Sequence, residues 1–166
     1  MPKTFNIENN FNLNATVTGS VACDVKVQRE FYRSNINKIL NICSEGLKEF
    51  KLDNKKIKFH FRNIRGKVSG QYIDQYKKVE VCLKDLNFKR IANTIVHELA
   101  HADQYNSGRL KTKGVKSIFD KKEFNNKTKT HEEYLNLPWE IDARQKADEI
   151  TPKILEKLSP KKSKKK

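Results

Sequence analysis

One segment constrains this chain more than any other. From Asn87 it reads Asn-Phe-Lys-Arg-Ile-Ala-Asn-Thr-Ile-Val-His-Glu-Leu-Ala-His-Ala-Asp-Gln-Tyr. Phe88, Ile91, Ile95, Leu99 and Ala102 recur at helical spacing, and Ala92 and Val96 widen the apolar stripe. Asn87 is a fitting N-cap, and Asn106-Ser107-Gly108 is a stop signal. The spacing therefore predicts a helix with one buried face. Each helical residue advances by about 100°, so residues four apart lie nearly one above the other. Asn93, His97, His101 and Tyr105 then form a second row beside the stripe, with Glu98 next to it. Two imidazoles and a carboxylate are held at the edge of a packed core.

His97-Glu98-Leu99-Ala100-His101 is an H-E-x-x-H pattern. With 4 His and 12 Glu in 166 residues, about 0.007 accidental occurrences are expected. Two histidines at this spacing can hold one metal ion, and the intervening Glu can take a proton from water that the metal acidifies. An open catalytic site usually has three protein ligands. The acidic and His residues downstream are His131, Glu132, Glu133, Glu140, Asp142, Asp148 and Glu149. Glu140 is the best placed. Pro138 suits the first turn of a helix, which puts Glu140 in that turn, with Ala143 and Ala147 on nearly the same side for close packing. Trp139, the single Trp, is expected to anchor this helix in the core. His131 is the competing third ligand, in the polar stretch Lys127–Glu133 that reads as loop or helix start.

H-E-L-A-H followed by a helical P-W-E-I-D-A resembles the gluzincin branch of zinc peptidases, in particular small single-domain members encoded in phage and bacterial genomes. The resemblance spans roughly residues 57–150, but only the two helical motifs are specific. It implies Zn2+ as cofactor, His97, His101 and Glu140 as metal ligands, and Glu98 as catalytic base. The implied reaction is peptide-bond hydrolysis by metal-activated water, on a protein or peptide substrate. A His131 ligand would instead give a three-histidine site similar to that of Spartan-type DNA–protein crosslink proteases. The chain lacks the E-x-x-x-D form of the Glu helix found in thermolysin, carrying Glu140 and Arg144 instead. Asp142 and Asp103 are then candidates to accept the second N–H of a ligand histidine. Two readings stand beside the peptidase. One is a catalytically inactive zincin-like protein that binds nucleic acid or a protein partner through a basic surface. The other is a phage accessory protein carrying a peptidase domain.

The fold class expected is α+β, a minimal zincin-like domain over residues 1–158. Residues 24–50 read as an N-terminal helix, with Val27, Phe31, Ile36, Ile39, Leu40, Cys43 and Leu47 on the apolar side and Gly46 weakening its end. Ile57–Phe61, Gly70–Asp74 and Val79–Leu83 read as strands of a small, mainly antiparallel sheet. The H-E-x-x-H helix and the Glu helix follow. Residues 1–18 are Asn-rich and read as an extended arm or short strands, and 159–166 as a flexible basic tail. His60 alternates with Phe59 and Phe61 and is expected to face solvent or a hydrogen-bond partner. Tyr134 and Tyr105 are each read first as surface packing residues. Tyr134, just before the Glu helix, is also a candidate donor to an oxyanion.

Charge is the second large signal. The chain carries 35 Lys and Arg against 20 Asp and Glu, a net charge of +15. Such a surface attracts phosphates non-specifically, so a nucleic-acid contact through the Lys-rich surface and tail is a possible partner interaction. The excess of Lys over Arg and the many Asn also fit an AT-rich genome without any functional demand. No stretch approaches the ~18 apolar residues of a membrane span, so no membrane partner is expected. The N-terminal residues lack an apolar signal region, and Cys23, Cys43 and Cys82 have no metal-site spacing. They read as reduced thiols of a cytoplasmic protein.

Overall fold

The computed structural model describes residues 3–6, 17–21, 26–62, 68–82 and 87–159. The order of elements is β1 (Lys3–Asn6), β2 (Val17–Val21), α1 (Lys26–Glu49), β3 (Lys58–Arg62), β4 (Gly70–Ile73), a 3-10 turn (Asp74–Tyr76), β5 (Lys78–Cys82), α2 (Phe88–Asn106), β6 (Leu110–Lys113), β7 (Lys116–Phe119), β8 (Lys122–Asn125), α3 (His131–Leu135) and α4 (Pro138–Leu158). This is a small α+β domain. The basic tail beyond Ser159 and most of the N-terminal arm lie outside the described residues, and Lys3–Asn6 and Val17–Val21 of that arm are strands.

The first sheet has the order β1-β2-β3-β5-β4. It departs from the expected mainly antiparallel pattern. β1–β2 and β4–β5 are antiparallel, whereas β2–β3 and β3–β5 run parallel. The reason lies in the connections. α1 crosses over between β2 and β3, and a crossover helix returns the chain in the same direction. β4 then takes the edge, and a tight turn at Lys77, in the left-handed region, sends β5 back between β4 and β3.

Alternation along the central strands divides the sheet into two faces. Phe59, Phe61, Val79 and Val81 are buried against the helices. His60 pairs in register with Glu80 on the other face, and its Nδ1 lies 3.6 Å from the Glu80 carboxylate. α1 contributes Ile39, Leu40, Ile42, Cys43 and Leu47 to the core. Gly46 lies inside this helix. A Cβ there would stand 2.6 Å from Leu99 Cδ1, so the glycine is what lets α1 approach α2. Cys43 and Cys82 are buried, and burial pushes the Cys43 thiol above its ordinary pKa.

α2 begins and ends where its capping residues predict. Asn87 accepts a hydrogen bond from the Arg90 backbone N–H, and Ser107 closes the helix ahead of Gly108, whose φ is 73°. Ile91, Ala92, Ile95, Val96, Leu99 and Ala102 are fully buried. α4 packs beside α2 through Ala143 and Ala147, both buried, with Ile154 further along. Trp139 is buried but sits in a separate small cluster with Leu110 and Phe119, a correction to its expected place in the main core.

That cluster belongs to a second sheet, the antiparallel meander β6-β7-β8, which the sequence pattern did not reveal. Its inner face packs Leu110 and Phe119 on Trp139, and Phe119 and Phe124 meet the indole edge to face at 6.3 and 6.2 Å.

Leu99 lies between the two histidines of α2 in sequence and is fully buried. Leu99→Ala is expected to lower the unfolding free energy by about 2–5 kcal/mol through the cavity it leaves. The check is a shifted denaturation midpoint with an unchanged slope, and a shift below about 1 kcal/mol would show that the site collapses around the smaller residue.

Candidate metal centre

α2 and α4 bring three donor side chains together. His97 Nε2 lies 3.2 Å from His101 Nε2, and the two Glu140 oxygens lie 3.3 Å from His97 Nε2 and 3.2 Å from His101 Nε2. The helical row predicted for α2 supplies both imidazoles. Glu140 follows from Pro138 opening α4 and from Ala143 and Ala147, whose missing bulk lets α4 lie close enough for a short carboxylate to reach across.

These distances fit a metal. Four tetrahedral donors about 2.0–2.1 Å from an ion are separated by edges of about 3.3–3.4 Å. The three separations here are close to those edges, the two to Glu140 being made by different oxygens of its carboxylate. The donor chemistry agrees. Two imidazole nitrogens and a carboxylate in mutual contact are mostly lone pairs facing one another, and only a cation or a proton between them removes the repulsion. Two neutral imidazoles and one carboxylate suit zinc, as they suit several other divalent ions.

Electrostatics reports the same need for positive charge. Burial disfavours ionised Glu140, but hydrogen bonds from His101, His97 and Tyr134 outweigh it and hold its carboxyl well below the usual range. Burial lowers the pKa of His101, while the hydrogen bond and charge of Glu140 raise it, to a net value of about 8. Glu98 is displaced the other way. It is 5% exposed, and burial pushes its pKa up against the pull of His101 and His97. Its carboxylate is hydrogen-bonded by the Tyr72 backbone of β4. A buried carboxylate with a raised pKa beside the donor set is suited to accept and return a proton.

β4 can lie this close only because residue 70 is glycine. A Cβ there would stand 2.6 Å from Thr94 Cγ2, 3.0 Å from the Glu80 carbonyl and 3.1 Å from Glu98 Cγ. A cleft of about 770 Å³ opens between β4, α2, α3 and α4, lined among others by Gly70, His97, Glu98, Tyr134 and Glu140. Lys89, Arg90 and Arg144 make part of its wall positive, with Asp148 among them.

The other candidates fall as follows. His131 lines the cleft, but its ring stacks on Tyr134 at 6.2 Å, outside the group formed by His97, His101 and Glu140. Tyr134 is partly exposed on the cleft wall, and its hydroxyl is near enough to Glu140 to help lower the pKa of that carboxyl. α3 aims it there, with Thr130 capping the helix through the Glu133 N–H and Glu133 reaching back to the Lys129 N–H. Tyr105 bonds Thr112 on β6 instead of lining the cleft. Asp103 pairs with Lys146 at 2.9 Å and touches neither imidazole, and Asp142 stands one residue removed from His101. The direct partner of His101 Nδ1 is Gln104 Oε1 at 2.9 Å, a residue not singled out in the sequence. Its three-residue offset from His101 on one helix was the signal for it. Arg144 donates to the Leu135 carbonyl, tying α3 to α4.

Comparison with known proteins identifies no relative: no family model matches the chain, and neither does any curated protein or solved structure. Among the described residues, no helix is long and apolar enough to cross a membrane.

In the metal-free protein the His101–Glu140 contact makes stability depend on pH. The folded pKa of His101, about 8, lies above an unfolded value of about 6.5. The stabilisation is therefore fully present below about 6.5 and lost as pH rises through about 8. Melting the metal-free protein between pH 6 and 9, against His101→Gln as the baseline, should show the wild-type advantage shrinking with pH. An advantage that grows over this range would contradict the assignment.

Proposed function

We propose that this chain is a zinc-dependent peptidase of minimal gluzincin type. The observation that carries the proposal is the convergence of His97, His101 and Glu140, with ring nitrogens and carboxylate oxygens 3.2–3.3 Å apart and buried Glu98 beside them at the cleft. Zinc, when bound, supplies Lewis acidity that polarises a scissile carbonyl and acidifies water. His97, His101 and Glu140 would hold it, and the Glu140 charge offsets half of its own. Glu98 takes the proton of the attacking water and hands it to the leaving amine. Its raised pKa keeps that return transfer accessible. The Tyr134 hydroxyl, already beside Glu140, is within the same wall and can donate to the oxyanion of the tetrahedral carbon.

The substrate reading is an extended peptide. β4 is an edge strand, and Ser69 and Gly70 line the cleft, so a peptide can add to the sheet through main-chain hydrogen bonds while its scissile bond meets Glu98. A binding-module reading draws on a different observation. Lys111, Lys113 and Lys116 are all exposed on β6 and β7, and the charge excess favours phosphate contacts.

Two measurements test the proposal. Purified protein is expected to hold about one zinc per chain. His97→Ala, His101→Ala and Glu140→Ala should each lose it, and His131→Ala should keep it. Zinc retained by Glu140→Ala but lost by His131→Ala would transfer the third-ligand role. Glu98→Gln should stay zinc-loaded while hydrolysis of a panel of denatured proteins falls by about 10²–10⁴-fold or more. If zinc-loaded wild type cleaves nothing that the variant spares, the peptidase reading gives way to the basic binding module, and salt-sensitive retention on DNA becomes the decisive assay.

A further inference from the structure

Behind His101 lies a hydrogen-bond chain with a fixed direction. Gln104 is fully buried. Its Oε1 faces His101 Nδ1 at 2.9 Å, and its Nε2 donates to the Trp139 carbonyl at 2.9 Å and to Asp142 Oδ2 at 2.8 Å. Asp142 is in turn gripped by Arg109, with Nη1 and Nη2 each 3.2 Å from a carboxylate oxygen. Arg109 also holds Asp120, on the β7–β8 turn, at 2.8 and 2.9 Å.

The polarity of each link follows from its chemistry. A carbonyl and an ionised carboxylate only accept hydrogen bonds. Both Asp142 oxygens are engaged by the Arg109 guanidinium, which only donates, so the carboxylate presents acceptor oxygens to its neighbours. Facing two pure acceptors, the Gln104 amide must turn its NH2 towards them and its oxygen towards His101. An oxygen at that position requires a proton on Nδ1. In the neutral ring Nε2 then carries the lone pair, directed at Glu140 and His97.

We propose that Gln104, oriented by Asp142 and the Trp139 carbonyl, selects the Nδ1–H tautomer of His101 and so keeps its Nε2 free for a metal. The inference rests on the reading of His97, His101 and Glu140 as a metal site. It assigns Gln104 and Asp142 as positioning residues. It also gives the second sheet a role in the site, because Arg109 and Asp120 brace Asp142 from its edge.

The test separates this proposal from the reading beneath it. Heteronuclear NMR of the metal-free protein, above the pH at which His101 loses its charge, reports which ring nitrogen carries the proton. Wild type is expected to show Nδ1–H. Gln104→Leu removes the acceptor and should populate Nε2–H. Asp142→Asn should do so in part, because the Gln104 amide then loses one of its two obligate acceptors. Zinc affinity, measured by chelator competition, should fall about 10–100-fold in Gln104→Leu and less in Asp142→Asn. A role confined to packing would lower the melting temperature and leave the tautomer unchanged. An Nε2–H tautomer in wild type, Nδ1–H retained in both variants, or an affinity loss under about threefold in Gln104→Leu would overturn the proposal. If wild type binds no zinc, the metal reading fails, while the tautomer of the metal-free ring still decides the orienting role of Gln104.

Discussion

The contact between α2 and α4 is the constraint on which the rest of the structure depends. It is made of small residues: Ala143 and Ala147 are buried against the apolar side of α2, and their size sets how near the two axes come. Every feature of the candidate centre needs that nearness. Glu140 has a short side chain and must reach two imidazoles rooted on the other helix. Gln104 must touch the backbone of Trp139 across the same interface. Larger residues at 143 or 147 would move all of these links together, so the interface is sensitive to volume in a way that a looser helix pair is not.

The remaining elements hold this pair from three sides. The first sheet and α1 cover its apolar flank, with Gly46 giving α1 room against Leu99. β4 closes the side bearing Glu98, where Gly70 lets the strand sit within reach of the carboxylate. The second sheet covers the N-terminal end of α4 through Trp139 and the Arg109 ion pairs. The polar groups in the centre are therefore surrounded by rigid secondary structure, and only α3, with Tyr134 and His131, forms a wall made of a short helix.

The parts legible in the sequence were those encoded by local periodicity and capping. α2 declared itself through its stripe, its Asn87 cap and its stop at Ser107-Gly108, and α4 through Pro138. The three strands 58–62, 70–73 and 78–82 fell within a residue or so of their expected bounds, because alternation is a local property. The second sheet escaped for physical reasons. Its strands are four residues long and rich in lysine, and they bury only Leu110, Ser117 and Phe119 between them, with alternation confined to β7. Its β7–β8 turn places Asp120 and Lys121 at positive φ, a geometry usually announced by Asn-Gly or Asp-Gly. The parallel pairings were hidden because they depend on which strand takes the edge, a non-local choice. Gln104 was overlooked because a glutamine on a helix usually faces water, and its burial arises only once α4 docks.

The second sheet also bears on how the centre can assemble. Both histidines sit within one turn of α2 and are in place as soon as that helix forms. Glu140 belongs to a later element, and an unstructured connection between them would have to be drawn shut at an entropic cost that grows with its length. Here the connection folds on itself. β6, β7 and β8 pair only with their immediate neighbours in the chain, so their contacts are local and quick to form. The meander starts beside Arg109 and packs Leu110 and Phe119 on Trp139 of α4, across the intervening α3. The meander thus shortens the loop that must be closed when α4 docks on α2, leaving α3 and its flanking links as the part still to be ordered.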